Sequence, residues 1–290
     1  MTPREALRVA VERLRFAHED APREARLLLE FTLGQSRIWL YQNFDKQLET
    51  ESVNRFWRLV NARTEGEPLA YLIGHREFFG RDFLVDRRVL IPRPETEHLV
   101  EQAIRFIRGN DIACPSIVDV GTGSGAIAVS IASEITDSRV IAVDRSGDAL
   151  KVARANAERH GVGNRVHVVQ GDLLAALAGP FDLILANLPY IPSAEIPRLQ
   201  PEVQREPLLA LNGGPDGLDL YRILFVQARD RLAPGGLLLA EIAENQGRAA
   251  ATLARTSFPD RNVIILPDLA GRDRVVAIRP HVVRDRQAVS

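Results

Sequence analysis

The residues best suited to chemistry lie in a glycine-rich loop and at the end of an apolar segment further along the chain. Asn187-Leu188-Pro189-Tyr190 follows the apolar run 181–186 and supplies an amide, a rigid turn and an aromatic face. Together these groups can hold a planar nitrogen group. The loop 119–125 reads Asp-Val-Gly-Thr-Gly-Ser-Gly, and its glycines let the backbone approach a nucleotide-like ligand. The order of the two motifs is typical of an enzyme that modifies an amide or amino nitrogen.

The glycine loop by itself leaves two cofactor classes open. Gly121, Gly123 and Ala126 satisfy the dinucleotide pattern G-x-G-x-x-G/A, and Asp144 follows about 20 residues later as a possible ribose ligand. A nicotinamide-dependent enzyme is therefore a real alternative at this point.

Carboxylates after three successive expected strands favour S-adenosylmethionine over a dinucleotide. We expect Asp119 to pair with the amino group of the cofactor, Asp144 to bind its ribose hydroxyls, and Asp172 to accept a hydrogen bond from its adenine. Each aspartate alone is equally consistent with a helix cap or a turn. The ordered set is more specific, and it suits a pyrophosphate poorly. The expected cofactor-binding residues are Asp119, Gly121, Thr122, Gly123, Ser124, Gly125, Asp144, Asp172, Leu173 and Asn187.

Methyl transfer from a sulfonium is an in-line displacement, which needs the acceptor nitrogen roughly 3–3.5 Å from the methyl carbon. We expect the Asn187 side-chain oxygen and the Leu188 carbonyl to accept the hydrogens of an amide nitrogen. Pro189 fixes the turn, and Tyr190 stacks on the planar group. No general base is obligatory, because the extra proton becomes acidic after transfer. Asn187, Pro189 and Tyr190 are thus the expected catalytic residues, and positions 187–190 form the expected substrate site.

Other reaction classes lack their usual residues. Neither lysine, Lys46 or Lys151, has the tyrosine four residues before it that many dehydrogenases use; Gln42 and Gly147 stand there instead. The six histidines are scattered without metal-ligand spacing, so no metal is expected. A G-x-S-x-G elbow is absent around Ser124.

The spacing of apolar residues divides the chain into three parts. Residues 1–73 have helical periodicity, 74–92 resemble a β-hairpin linker, and 93–290 alternate strands and helices. Strands are expected at 116–120, 139–144, 166–170, 181–186, 236–241, 262–266 and 274–279, with helices at 125–134, 146–160, 217–232 and 245–256. Such alternation predicts an α/β fold with a mostly parallel seven-stranded sheet covered by helices on both faces.

Composition restricts partners and compartment. The net charge of −1 argues against binding nucleic acid mainly through phosphates. Cys114 is the only cysteine, which fits a reducing cytoplasm. No apolar run approaches a membrane span and no signal-peptide core is present, so we expect a cytoplasmic location without a membrane partner.

Motif by motif, the chain resembles the peptide chain release factor glutamine methyltransferases, the HemK or PrmC family. The resemblance covers nearly the full length. Besides the glycine loop and the tetrapeptide, it includes residues 21–29, 67–74, 78–80, 90–97, 206–207, 214–218 and 268–276, and Arg93-Pro94-Glu95-Thr96-Glu97 is especially typical of the family.

This resemblance implies a class I S-adenosylmethionine-dependent methyltransferase with a Rossmann-like sheet. The implied substrate is the glutamine of the Gly-Gly-Gln motif in class I release factors, methylated on its side-chain amide nitrogen. We also expect residues 1–73 to form a substrate-docking domain, the protein to be a monomer, and no direct binding of nucleic acid.

One position departs from the family pattern. Leu188 replaces the first proline of the usual Asn-Pro-Pro-Tyr, and Asn-Leu-Pro-Tyr is also typical of rRNA adenine dimethyltransferases. A nucleic-acid adenine or cytosine amino-methyltransferase therefore stays open as an alternative, as does a non-catalytic ribosome-associated module. The other matching segments and the neutral charge favour the glutamine enzymes.

Overall fold

The chain forms two compact units in the computed structural model, which describes residues 1–15 and 20–280. Among the described residues, the first unit contains Met1–His75, Val85–Arg87 and Leu199–Glu206; the second contains Arg76–Leu84, Arg88–Arg198 and the chain from Pro207 to residue 280. The sequence-based division differs in two respects: the expected linker 74–92 is shared between the units, and residues 199–206 cluster with the helices. Residues 16–19 and 281–290, in the expected first and third domains, lie outside the described residues.

The first unit is built from short helices. They are α1 (Pro3–Leu14), α2 (Ala21–Leu33), α3 (Arg37–Gln42), α4 (Thr50–Thr64) and α5 (Leu69–Ile73). A capping box between Thr2 and Glu5 begins α1, and Gly34 ends α2 in a left-handed conformation, with φ of +62°. Their apolar faces pack together around Leu28 and Phe56, both fully buried. The helical periodicity expected before residue 73 is confirmed.

The second unit begins with a hairpin and then alternates helices and strands. Its elements are β1 (His75–Phe78), β2 (Arg81–Leu84), α6 (Glu97–Gly109), β3 (Ser116–Val120), α7 (Ala126–Glu134), β4 (Arg139–Asp144), α8 (Gly147–Arg159), β5 (Val166–Gln170), β6 (Phe181–Ala186), α9 (Leu208–Leu211), α10 (Asp219–Arg229), β7 (Leu232–Glu241), α11 (Gly247–Ser257), β8 (Arg261–Pro267) and β9 (Asp273–Pro280). Short 3₁₀ turns occupy Pro94–Thr96, Ile196–Arg198 and Val203–Arg205.

The seven-stranded sheet has the order β5-β4-β3-β6-β7-β9-β8. All neighbouring pairs are parallel except β7 with β9 and β8 with β9, which are antiparallel. The expected mostly parallel sheet is therefore confirmed.

Helices cover both faces of this sheet because successive side chains of each strand point to opposite sides. Along β6, Leu183 and Leu185 join the core formed with α6 and α7, whereas Ile184 and Ala186 join the core formed with α10 and α11. The chain moves from β3 outward to β5 and then returns to β6 on the other side of β3. This reversal opens a crevice at the carboxyl ends of the central strands, where open α/β sheets bind ligands.

Within residues 1–15 and 20–280, no helix has both the length and the apolar character needed to cross a membrane.

Candidate active site

A cavity of about 550 Å³ lies in the second unit, at the carboxyl ends of β3 to β6. Its volume falls within the range usual for small-molecule sites. The sequence-predicted residues on its wall are Gly121, Thr122, Gly123, Ser124, Asp144, Asp172, Leu173, Asn187, Leu188 and Pro189. Three others, Asp119, Gly125 and Tyr190, are not on that wall. The fold thus brings the glycine loop and most of the tetrapeptide to one space.

The glycine loop leaves room for a ligand. Gly121 and Gly123 have φ of +73° and +54°, a backbone region that favours glycine. A Cβ on Gly123 would meet no atom within 4 Å, so the loop is open beside it. At Gly121 a Cβ would lie 2.8 Å from Leu188 Cδ2, which means that the leucine packs directly over this glycine.

Asp144 ends β4 and supports the same loop. Its Oδ2 accepts a hydrogen bond from the Gly123 N–H at 2.9 Å, and its Oδ1 accepts one from the Ser146 N–H, also at 2.9 Å. Each carboxylate oxygen retains a further lone pair, which a hydroxyl of a ribose can use. Asp172 is exposed on the cavity wall, and Leu173 beside it is buried with φ of +51°.

Asp119 lies beneath the loop and is fully buried. Its Oδ2 accepts hydrogen bonds from the Thr122 hydroxyl at 2.6 Å and from the Ala128 N–H at 3.2 Å. Burial raises the pKa of Asp119 to about 7, although both hydrogen bonds act in the opposite direction. In this position Asp119 joins the loop to the start of α7. Its expected pairing with the amino group of a cofactor stays a prediction.

The tetrapeptide follows β6 and is held by side chains from distant elements. Asn187 Nδ2 donates to Thr96 Oγ1 at 2.9 Å. The Leu188 N–H donates to the Tyr221 hydroxyl at 3.2 Å, and the Leu188 side chain is buried. The Tyr190 hydroxyl donates to Glu241 Oε1 at 3.3 Å, and burial raises the pKa of that hydroxyl. Stacking of Tyr190 on a substrate stays a prediction.

Three of these partners, Thr96, Tyr221 and Glu241, have no role in the sequence-based site. Thr96 belongs to the family-typical segment 93–97, and Glu241 ends an expected strand. Both positions could therefore have been recognised from the sequence as candidates for the site. Tyr221 lies in α10, where a buried aromatic residue looks like ordinary core. The cavity wall also includes residues from 88–96 and 207–212 that sequence reasoning left without a role.

No group of three or more His, Cys, Asp or Glu side chains within 1–15 and 20–280 is arranged to hold a metal ion.

Comparison with known proteins agrees with this geometry. A family model described as the PrmC N-terminal domain matches residues 5–74, and one described as a methyltransferase domain matches residues 117–206. The crystal structure of a methyltransferase from Pyrococcus furiosus has a TM-score of 0.51 at 19% identity, covering 78% of this chain and 97% of that chain. At this level of identity the similarity shows the fold alone.

Curated relatives are much more similar in sequence. The release factor glutamine methyltransferase of Moorella thermoacetica is 46% identical over 276 residues, which is 94% of this chain and 97% of that protein. The release factor glutamine methyltransferase of Geobacter sulfurreducens is 43% identical over 264 residues, or 90% of each chain. Because such identity extends through both units, the chain belongs to the release factor glutamine methyltransferase family.

Proposed function

We propose that this chain transfers the methyl group of S-adenosylmethionine to the side-chain amide nitrogen of the glutamine in the Gly-Gly-Gln motif of class I release factors. Family membership supports the substrate. One observation carries the chemistry: the glycine loop and residues 187–189 line the same cavity. A ligand held by the loop and a nitrogen held by Asn187 would therefore share one space.

The residues of the loop fit the proposed cofactor. S-adenosylmethionine supplies an electrophilic methyl group on a sulfonium. The open volume beside Gly123 suits a close ligand, and Asp144 at the end of β4 has free lone pairs for ribose hydroxyls. Asp172, exposed on the same wall, suits the adenine amino group. The remaining members of the proposed set are Asp119, Gly121, Thr122, Ser124, Gly125, Leu173 and Asn187.

Asn187 and Leu188 are proposed to align the glutamine amide. An amide nitrogen is a weak nucleophile because its lone pair is delocalised into the carbonyl. Hydrogen bonds from its two hydrogens to Asn187 Oδ1 and the Leu188 carbonyl would orient the lone pair toward the methyl carbon. A nitrogen–carbon bond forms as the carbon–sulfur bond breaks, and the displaced proton leaves to water. Pro189 holds the turn, and Tyr190 is proposed to stack on the planar amide.

The helical unit is proposed to dock the release factor, supported by its match to the PrmC N-terminal domain. We further propose that a single copy of the chain acts in the cytoplasm without binding nucleic acid directly.

The test is a labelling experiment with tritiated S-adenosylmethionine. The acceptors are a class I release factor, the same factor with its Gly-Gly-Gln glutamine changed to alanine, and rRNA. We expect label only on the unchanged factor. Asn187→Ala should abolish transfer while cofactor affinity is kept, and Asn110→Ala, outside the cavity at the end of α6, serves as the matched control. Label on rRNA instead would favour the nucleic-acid alternative and refute the proposal.

A further inference from the structure

The family-typical segment 93–97 contributes a buried threonine to the active site. Thr96 is 4% exposed and closes the 3₁₀ turn before α6. Its Oγ1 accepts a hydrogen bond from Asn187 Nδ2 at 2.9 Å. Thr96 also lines the cavity, directly beside the amide that is proposed to hold the substrate.

Behind Thr96 lies a buried carboxyl group. Glu241, the last residue of β7, is 1% exposed, and its Oε1 accepts a hydrogen bond from the Tyr190 hydroxyl at 3.3 Å. Desolvation raises the pKa of Glu241 to about 7, whereas Thr96, Arg274 on β9 and Tyr190 lower it. Glu241 therefore holds Tyr190, the last residue of the tetrapeptide, as Thr96 holds Asn187, the first.

The hydrogen bond to Thr96 sets the orientation of the Asn187 side chain. Asn187 turns its NH₂ group toward Thr96 Oγ1, which accepts at 2.9 Å. The oxygen therefore lies at the opposite end of the side-chain amide, where it can accept a hydrogen bond. The reverse orientation would present the Asn187 NH₂ group to the substrate NH₂ group, and neither of two facing amide NH₂ groups can accept a hydrogen bond.

We propose that Thr96 is a positioning residue that fixes the Asn187 amide with its oxygen free for the substrate nitrogen. The inference rests on the proposed function, since it assigns Asn187 Oδ1 as an acceptor for the glutamine amide. It also gives the segment 93–97 a physical role: the turn Pro94–Thr96 delivers one hydroxyl to the end of β6.

Kinetic measurements test the role of Thr96 in transfer. Thr96→Val removes the hydroxyl at nearly constant volume, and we expect kcat to fall roughly 10- to 100-fold, as when supporting hydrogen bonds of a site are removed. KM for the release factor and Kd for S-adenosylmethionine should stay within about twofold, because Thr96 acts through Asn187. Thr96→Ser keeps the hydroxyl and should recover most of kcat.

Matched variants separate positioning from general destabilisation. Ser138→Ala removes another buried hydroxyl, one that donates to the Ile135 carbonyl at 2.7 Å away from the cavity, and should leave kcat unchanged. Should Thr96→Val fail to fold, Thr96→Ala removes the same hydroxyl and is compared with Thr96→Ser instead. The inference is overturned if Thr96→Val keeps the wild-type kcat, or if Thr96→Ser loses as much as Thr96→Val.

A second measurement needs no substrate. The side-chain NH₂ of Asn187, assigned in ¹⁵N spectra by its disappearance in Asn187→Ala, should be protected from solvent exchange in the wild type and in Thr96→Ser. It should lose this protection in Thr96→Val, and equal protection in both would refute the inference. Absence of label on the release factor with the wild-type enzyme would instead count against the proposed function, so the two failures are distinguishable.

Discussion

Asn187 and Leu188 are neighbours in sequence but are held by different elements. Thr96, before α6, binds the Asn187 side chain, and Tyr221, on α10, accepts from the Leu188 N–H. The Tyr221 hydroxyl also contacts two carbonyl oxygens, that of Glu241 and, at 3.3 Å, that of Leu188, and it donates its single proton to one of them at a time. A proline at 188 would lack this N–H. The leucine at this position therefore gains a backbone hydrogen bond and packs over Gly121.

Asp144 gives a prediction at the same scale. Asp144→Ala should weaken binding of S-adenosylmethionine roughly 10- to 100-fold, because hydrogen bonds to a charged group contribute about 1.5–3 kcal/mol. Two contributions combine: loss of the proposed ribose acceptor and loss of the Gly123 contact that shapes the loop. Isothermal titration calorimetry measures the change in Kd.

The matched control is Asp148→Ala, in the first turn of α8, whose exposed carboxylate pairs with Lys151. It should keep the wild-type Kd. An unchanged Kd for Asp144→Ala would mean that the ribose assignment is wrong.

At the scale of elements, one arginine links three parts of the helical unit. Arg63 on α4 is 2% exposed and pairs with Glu24 of α2 and with Glu202 of the segment 199–206, each at 2.7 Å. It also donates to the Glu67 carbonyl at 3.1 Å. Burial alone would lower the pKa of Arg63, but the two glutamates raise it above the ordinary value. This ion pair explains why a segment distant in sequence clusters with the helices.

Arg63→Ala should therefore destabilise the helical unit by about 3–5 kcal/mol, the usual cost of removing one partner from a buried ion pair. The amides of α2 and α4 should exchange faster with deuterium by the corresponding factor, as followed by mass spectrometry. Arg58→Ala, an exposed arginine on the same helix, is the control and should leave exchange unchanged. Unaltered protection of α2 in Arg63→Ala would contradict this role of the ion pair.

At the scale of the whole molecule, two buried carboxyls make stability depend on pH. Burial raises the pKa of both Asp119 and Glu241 to about 7, above their ordinary values of 3.8 and 4.5. Between the ordinary and the raised values the folded protein binds more protons than the unfolded chain. Its free energy of unfolding therefore falls as pH rises through this window. The titratable and charged groups that face Glu241 are Tyr190, Tyr221, Arg274 and Glu95.

Glu241→Gln should remove one of these protonation steps. Relative to the wild type, the free energy of unfolding of the variant should rise between about pH 5 and 7, by at most about 1.4 kcal/mol for each pH unit. Urea unfolding followed by circular dichroism at several pH values measures this difference. It should become constant above about pH 8, and a difference that stays constant from pH 5 to 7 would show that Glu241 does not titrate there. For Asp119→Asn, the free energy of unfolding relative to the wild type should likewise rise between about pH 5 and 7.

Much of the fold could be predicted from the sequence because the signals are local. Period-two and helical spacing of apolar residues predict the strands of the sheet at positions that the structure confirms, with β7 extending further toward its N-terminus, from Leu232. The glycine loop and the tetrapeptide are likewise contiguous motifs. Since parallel strands place their carboxyl ends at one edge, their meeting in one cavity follows from the order of strands.

The sequence by itself thus determined the helices, the strands and the two motifs, since each depends on residues that are neighbours along the chain. Only the tertiary structure decided that Thr96 binds the Asn187 side chain and Glu241 binds Tyr190, that Asp119 lies beneath the loop, and that the segment 199–206 joins the helices. Those contacts connect residues far apart in sequence. They form only when sheet order and helix packing bring the side chains within hydrogen-bond distance, and no local pattern specifies that distance.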